Sequence, residues 1–544
     1  MLLFKIQLSG ENCLEVYKGF PLGASDRLKF RYNQLIKKLQ KCREIVKLPH
    51  LYNRQSIELI KVAQNVKNDK HQALIINNKL AYNKFIQLCK TMPESNIFTV
   101  QKSENSIESM HYIARSLLNN IKNKKGEIIK TLTEFEPLTT AEGEYHAAVD
   151  SLETISIHNS NLLEIGKHMK VSSVFLPINL PLYSFILYAF IPGLPLDSVF
   201  IRCPELTRKI LRKLFAILEI EAIAPKIKIL EMPRAEFNLQ YVSQSDLIIF
   251  TGEYNNATKL LSQHSDKLFI YNGYGVNPVV VHHNGDLDVA VEKIVAMRTF
   301  NSGQDCGAPD AILVNDQIFE QFLSKLKEKL SKLKVGSLEE NPVDVGPLFN
   351  KEQLLKNLQF ISGDNRKVHH GGLLDIGKQI LYPIIIESGL EQNNYHEFFA
   401  PIFNLIRYKN EQELSRYFAN RHYKQNAMYA SCFGNIDNLK ELTGSIVLEN
   451  QVILDVDTAD NEFGGYGRKV NFIHYKGQKA SFPILIPRDI ANCLRYDRPV
   501  HLPQDDRSAR DLSPLSPKNQ ERQAPSPSSY QHLPHSLKEL QPEV

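Results

Sequence analysis

Apolar residues recur along this chain in two rhythms, and the change between them falls near Ala147. From about Asp26 to Lys130 they return every three or four positions among Lys, Asn and Glu. RLKFRYNQLIKKLQKCREIVK (27–47) and IESMHYIARSLLNNIKNKK (107–125) therefore predict amphipathic helices with solvated, charged outer faces. Beyond Ala147 the pattern becomes short apolar runs separated by turns. VSSVFLPINLP (171–181), SVFIRCPE (198–205), KIKILEM (226–232), SDLIIFTG (245–252) and NPVVVHH (277–283) predict buried parallel strands. Helical stretches alternate with them, as in DVAVEKIVAMRTF (288–300) and FEQFLSKLKEKLSKLK (319–334). That alternation argues for an α/β architecture with at least one doubly wound sheet.

From Arg495 the rhythm vanishes into a proline- and serine-rich stretch, 495–544, with three Ser-Pro pairs. Such a segment has too little apolar surface to offset its ordering entropy, so a disordered tail is expected. The 544 residues are 43% hydrophobic and 23% charged, which suits two or three globular domains. Lys+Arg 65 against Asp+Glu 60 leaves only +5, no footprint of a nucleic-acid partner. The longest apolar candidate for a membrane span, Phe175 to Ile201, is interrupted by four prolines, Asn179 and Asp197. The first twenty residues lack a sustained signal-peptide core. Seven scattered cysteines form no CxxC or zinc spacing, so free thiols in a reducing, cytoplasmic compartment are expected. His282-His283 and His369-His370 are neighbours that point to opposite faces of a strand, which makes a metal site from either pair unexpected. No P-loop and no Gly-x-Ser-x-Gly elbow occurs.

One segment carries candidate chemistry. Asn301-Ser-Gly-Gln-Asp-Cys306-Gly-Ala puts a thiol in a small-residue loop after a helix and before the strand AILV. The stretch resembles the active-site cysteine segment of the aldehyde dehydrogenase superfamily, and further matches follow in that family's order. Pro177-Ile-Asn179-Leu-Pro181 resembles its Pro-aromatic-Asn-x-Pro block. Arg202-Cys-Pro-Glu205 is similar to a strand ending in Lys-Pro-x-Glu, and Phe250-Thr-Gly252 to the cofactor turn. Asn341-Pro-Val-Asp-Val-Gly-Pro-Leu348, Glu397-Phe-Phe399-Ala-Pro401 and Glu462-Phe-Gly-Gly-Tyr-Gly467 resemble the later blocks. The likeness covers about residues 147–490.

Oxidising an aldehyde needs a nucleophile that converts a planar carbonyl into a hydride-donating tetrahedral adduct. A thiolate at Cys306 would do so and would leave a thioester after hydride transfer. The resemblance assigns stabilisation of the adduct's oxyanion to the Asn179 amide and the Cys306 backbone N–H. It implies a Rossmann-type NAD(P) site at Arg202, Glu205, Gly252, Glu397 and Phe399. A carboxylate at Glu205 repels a 2′-phosphate, so NAD is expected over NADP.

Three departures bear on mechanism. The family's Glu-Leu-Gly-Gly-Lys block is Asn272-Gly-Tyr-Gly-Val276 here, and Asn272 cannot act as the base that activates water. The cofactor turn carries Glu253 and Ala257, and a carboxylate at a helix N-terminus competes with a pyrophosphate. Glu462 replaces the Pro of Pro-Phe-Gly-Gly. Three readings stay open: an NAD(P)-dependent aldehyde oxidoreductase, a CoA-acylating or acyl-thioester-reducing relative, and a degenerate binding protein. The expected aldehyde dehydrogenase-like organisation is as follows. A helical part of the cofactor domain spans 1–149, with a bridging strand segment at 150–170 and the cofactor domain proper at 171–270. An α/β catalytic domain spans 271–470, a second bridging segment 471–494 and the tail 495–544. The resemblance implies a homodimer or homotetramer acting on an aldehyde or acyl thioester.

Overall fold

In a computed structural model of the chain a helical layer, residues 107–168, precedes the strands of two open sheets. The structure describes residues 106–500, except 341, 364–365, 393–394 and 396, and the backbone of five strands between residues 2 and 101. Those strands, Leu2–Ser9, Cys13–Lys18, Ile60–Gln64, His71–Ile76 and Phe98–Gln101, form one sheet. They correct the helical texture expected through this region: runs such as IKVAQ and HQALII are short and rich in Ile and Val, which suits a strand. The helix expected at 27–47 and the tail beyond residue 500 lie outside the described residues.

The second predicted helix forms as Ile107–Asn123. The Ser106 side chain accepts from the Ser109 N–H at its start, and Met110, Ala114, Leu117 and Ile121 make its buried stripe. The segment 150–170, expected as a strand, is helical instead. Helix Leu138–Glu153 runs into it and Asn159–His168 follows, burying Leu162 and Ile165 three positions apart and packing on Ile486–Tyr496. That spacing is a helical period, and a strand would have sent the two side chains to opposite faces.

The first large sheet has the order Gln478–Ala480, Asn471–Tyr475, Leu268–Asn272, Leu247–Thr251, Val171–Phe175, Ser198–Arg202, Ile227–Ile229. The five strands from Leu268 to Ile229 are parallel, and Asn471–Tyr475 adds antiparallel. Alternate side chains reach two separate cores. Val174, Ile249 and Ile270 pack into one, while Phe175, Phe250 and Phe269 pack into the other. This is why the predicted runs are apolar throughout rather than alternating.

The second sheet has the order Lys367–His370, Ile384–Glu387, Ile402–Tyr408, Ala311–Asn315, Pro278–Val281, Tyr429–Phe433, Ile446–Glu449. It too is covered on both faces, with Val279, Ile312 and Val314 on one side and Val280, Leu313 and Ile406 on the other. Residues 273–277 join the sheets. A Cβ on Gly275 would lie 2.6 Å from the Asn426 carbonyl oxygen and 2.8 Å from the Met428 Cβ, so only glycine fits this crossing.

Candidate functional site

In chain order the first sheet's parallel strands run outward from Val171–Phe175 to Ile227–Ile229, and then resume on the other side at Leu247–Thr251. The neighbours Val171–Phe175 and Leu247–Thr251 thus flank a topological switch point, where connecting loops part and leave a crevice. Leu176 and Gly252, which follow those two strands, line a cleft of about 390 Å³. Cys306, Asn179, Glu397 and Phe399 line the same cleft.

The Cys306 loop is held in an unusual shape. Asn301, Ser302 and Gly303 all have positive φ, at 48°, 59° and 78°. Non-glycine residues in this region cost roughly 1–3 kcal/mol each, so the surroundings must impose the shape. They do so from several elements. The Asn301 N–H donates to Thr140 Oγ1 at 2.9 Å, and Ser302 Oγ accepts from the Gly346 N–H at 2.8 Å. Gln304 donates to the Pro347 carbonyl and accepts from the Phe349 N–H at 2.6 Å. Asn277 Nδ2 donates to the Cys306 carbonyl at 2.7 Å. Behind the loop, fully buried Arg298 donates to the carbonyls of Gly303 and Pro309, each at 2.8 Å.

The cleft disfavours negative charge on its own lining groups. Burial, then the carboxylates of Asp305, Glu397 and Asp457, push the Cys306 thiol well above its usual range. Burial also raises the acids themselves. Glu397 lies well above the carboxylate range, Asp310 is raised to about 6 and Asp457 to about 7. Tyr274, on the cleft wall, is raised to about 12 by burial and then by Glu397 and Glu253.

The residues singled out from sequence divide into two groups. Cys306, Asn179, Gly252, Glu397 and Phe399 share the cleft wall. Asn272 ends strand Leu268–Asn272, buried, one residue before the wall residue Gly273, and its Nδ2 has no partner among the described residues. Arg202 ends strand Ser198–Arg202, and exposed Glu205 begins helix Glu205–Leu218; they flank Pro204, which is on the wall. Glu253 is on the wall at the N-cap of helix Tyr254–Gln263, where it makes no cap bond. Sequence reasoning missed Asp305, Asp457, Tyr183 and Tyr188, which also line the cleft, and Arg298, which braces it. Asp305 adjoins Cys306 and could have been noted; no local pattern marks the others.

Two open α/β sheets, with a thiol loop in the crevice at a switch point, define a doubly wound two-sheet protein with a cleft at the strand ends. The chain belongs to the aldehyde dehydrogenase family, whose model matches residues 103–468. A lactaldehyde dehydrogenase of Methanococcus maripaludis is 25% identical over 312 residues, covering 54% of this chain and 64% of that protein. A dimeric NADP-preferring aldehyde dehydrogenase of Rattus norvegicus is 28% identical over 273 residues, covering 44% of this chain and 58% of that protein. The chain thus spans less than two thirds of the length of either relative. Among solved structures, a glyceraldehyde-3-phosphate dehydrogenase from Methanocaldococcus jannaschii complexed with NADP shares the fold. Its TM-score is 0.58 at 20% identity, covering 71% of this chain and 87% of that one. No described helix is long and apolar enough to cross a membrane.

Proposed function

We propose that this protein is an NAD(P)-dependent oxidoreductase that acts on an aldehyde through the thiolate of Cys306. The observation that carries this reading is the convergence of Cys306, Asn179 and Glu397 on one cleft at the switch point. The thiolate attacks the carbonyl carbon and forms the C–S bond, while the carbonyl electrons move to oxygen. The Asn179 amide, on a backbone stiffened by Pro177 and Pro181, donates to that oxyanion together with the Cys306 N–H. Collapse of the adduct expels hydride and leaves a thioester on Cys306.

A nicotinamide cofactor supplies the hydride acceptor, and the residues present fit one. Glu397 Oε1 is buried without a partner among the described residues, an acceptor suited to a ribose hydroxyl. Glu205, at the first position of its helix, favours NAD. Arg202 lies close enough to Arg234 and Arg208 to be held below its usual range by burial and by both, a concentration of charge that suits a 2′-phosphate. Titration with both nucleotides decides between them. Asn272 favours resolution of the thioester by a thiol such as CoA, or the reverse reduction of an acyl thioester, over hydrolysis.

Self-association is part of the proposal, because the sheet's edge strand Gln478–Ala480 offers backbone for pairing with a second copy. Buried, unpaired Cys203, Cys432 and Cys493 fit a reducing compartment such as the cytoplasm.

The test is calorimetric titration with NAD⁺ and NADP⁺, followed by absorbance at 340 nm with aldehydes, with and without CoA. Nucleotide binding and aldehyde-dependent reduction, lost in Cys306→Ala, are expected, with a rate that rises with CoA. Absence of binding by either nucleotide would overturn the reading.

A further inference from the structure

The cleft wall carries four carboxylates, Glu253, Asp305, Glu397 and Asp457, and among the described residues no Lys, Arg or His. Two of the four are compensated from behind, since the buried Arg298 guanidinium lowers both Asp305 and Glu397. Asp457 has no such cation. The influences on its carboxyl are burial and Asp305, both unfavourable to charge, and no ion pair reaches it among the described residues. Burial and Asp305 raise it to about 7, so near neutral pH it holds its proton part of the time, and a cationic ligand would favour its charged form.

The groups around Asp457 are suited to a cation. Tyr183, Tyr188 and Cys306 line the same cleft as Asp457. Tyr183 and Tyr188 stand on the helical segment 181–193, where a π-helical stretch, Phe185–Phe190, interrupts the α-helical spacing. Such stretches recur at functional sites. The Tyr183 hydroxyl is buried without a hydrogen-bond partner among the described residues, although Tyr183 is a residue of the cleft wall. Phenolic rings beside a carboxylate attract ammonium groups through both the ring quadrupole and the opposite charge.

We propose that this cleft selects aldehydes bearing a positive charge, amino- or ammonio-aldehydes, with the cation held between the Asp457 carboxylate and the rings of Tyr183 and Tyr188. The inference rests on the oxidoreductase reading and names its substrate class. A bound cation also offsets the carboxylates that oppose ionisation of Cys306, so the preferred substrate promotes formation of its own nucleophile. Aldehydes carrying carboxylate or phosphate find no cation on the cleft wall among the described residues and are disfavoured.

The experiment compares kcat/KM for three aldehydes of similar length: 4-(trimethylammonio)butanal, pentanal and 4-oxobutanoate. The expected order is cationic, then neutral, then anionic. Asp457→Asn should cut the cationic-to-neutral ratio about tenfold, while Asp457→Glu, which keeps the charge, should retain most of it. Equal ratios in wild type and Asp457→Asn, or a preference for 4-oxobutanoate, would overturn the proposal. A second arm needs no turnover. Butyltrimethylammonium should bind the Cys306→Ser protein by calorimetry, and more weakly once Asp457→Asn is added. If no aldehyde is oxidised, the oxidoreductase reading fails while this arm still decides whether the cation site exists. Equal binding with and without Asp457→Asn sinks the site.

Discussion

The Arg298 guanidinium and the Asp310 carboxylate meet at 3.3 Å in the interior and join the two sides of the cleft. Arg298 also holds the carbonyls of Gly303 and Pro309, on either side of Cys306, while Asp310 Oδ1 accepts from the Phe398 N–H at 3.0 Å, next to Glu397. One buried ion pair therefore fixes the distance between the candidate nucleophile and the candidate ribose ligand. Truncating one partner would leave the other charged and unpaired, which costs more than the pair's net worth. Arg298→Met should lose roughly 3–5 kcal/mol of stability in urea denaturation. In protein that remains folded, Cys306 should become more accessible to alkylation. A loss below about 1 kcal/mol would mean that the pair is dispensable.

Gly303 is a tight point of the Cys306 loop, packed against backbone. Its φ is 78°, and a Cβ there would sit 2.5 Å from the Ala400 carbonyl carbon. Gly303→Ala combines left-handed strain with a backbone clash, so thermal unfolding should reveal a loss of about 2 kcal/mol or more. Gly477, also at positive φ but with open space around it, supplies the control. Gly477→Ala should lose about 1 kcal/mol, from the strain alone.

The Cys306 thiol is raised by burial and then by Asp305, Glu397 and Asp457, so the resting protein holds it protonated at neutral pH. Alkylation by iodoacetamide should keep accelerating with pH beyond 9, where an ordinary cysteine has levelled off. Replacing Asp457 by Asn removes one opposing charge and should move the curve to lower pH. A plateau near pH 8.5 in the wild-type protein would contradict the charge arrangement described.

A second acid pair lies away from the cleft floor. Glu136 and Glu144 are both buried, and the Glu144 carboxyl accepts from the N–H groups of Leu182 and Tyr183, each at 3.1 Å. Burial raises Glu144 from 4.5 to about 7, and burial with Glu144 raises Glu136 well above its usual range. An acid whose folded pKa exceeds its unfolded value contributes stability at low pH and loses it as pH climbs from the unfolded value through the folded one. Stability should therefore fall between pH 4.5 and about 7. Glu136→Gln should flatten that fall and gain about 1 kcal/mol or more at pH 8, read from denaturation curves across pH.

Local rhythm determined much of this protein. Runs such as LIIF and PVVV are apolar at every position because both faces of each sheet are covered, and that information is written in five consecutive residues. The small residues before Cys306 exposed a reactive loop because glycine and short side chains leave a local mark, as does an asparagine between two prolines. The helix at 107–123 followed from its four-residue stripe. The segment 150–170, expected as a bridging strand, is helical: two buried residues, Leu162 and Ile165, are too short a stripe to mark a helix on their own, and helix Asn159–His168 packs on the distant helix Ile486–Tyr496. Only the tertiary structure decided which charges face one another. Asp457 lies more than a hundred residues from Cys306 and Arg298, and nothing in its neighbours announces a cleft. Electrostatic environment depends on distances through space and on burial, and chain-local pattern encodes neither until two sheets have packed around the switch point.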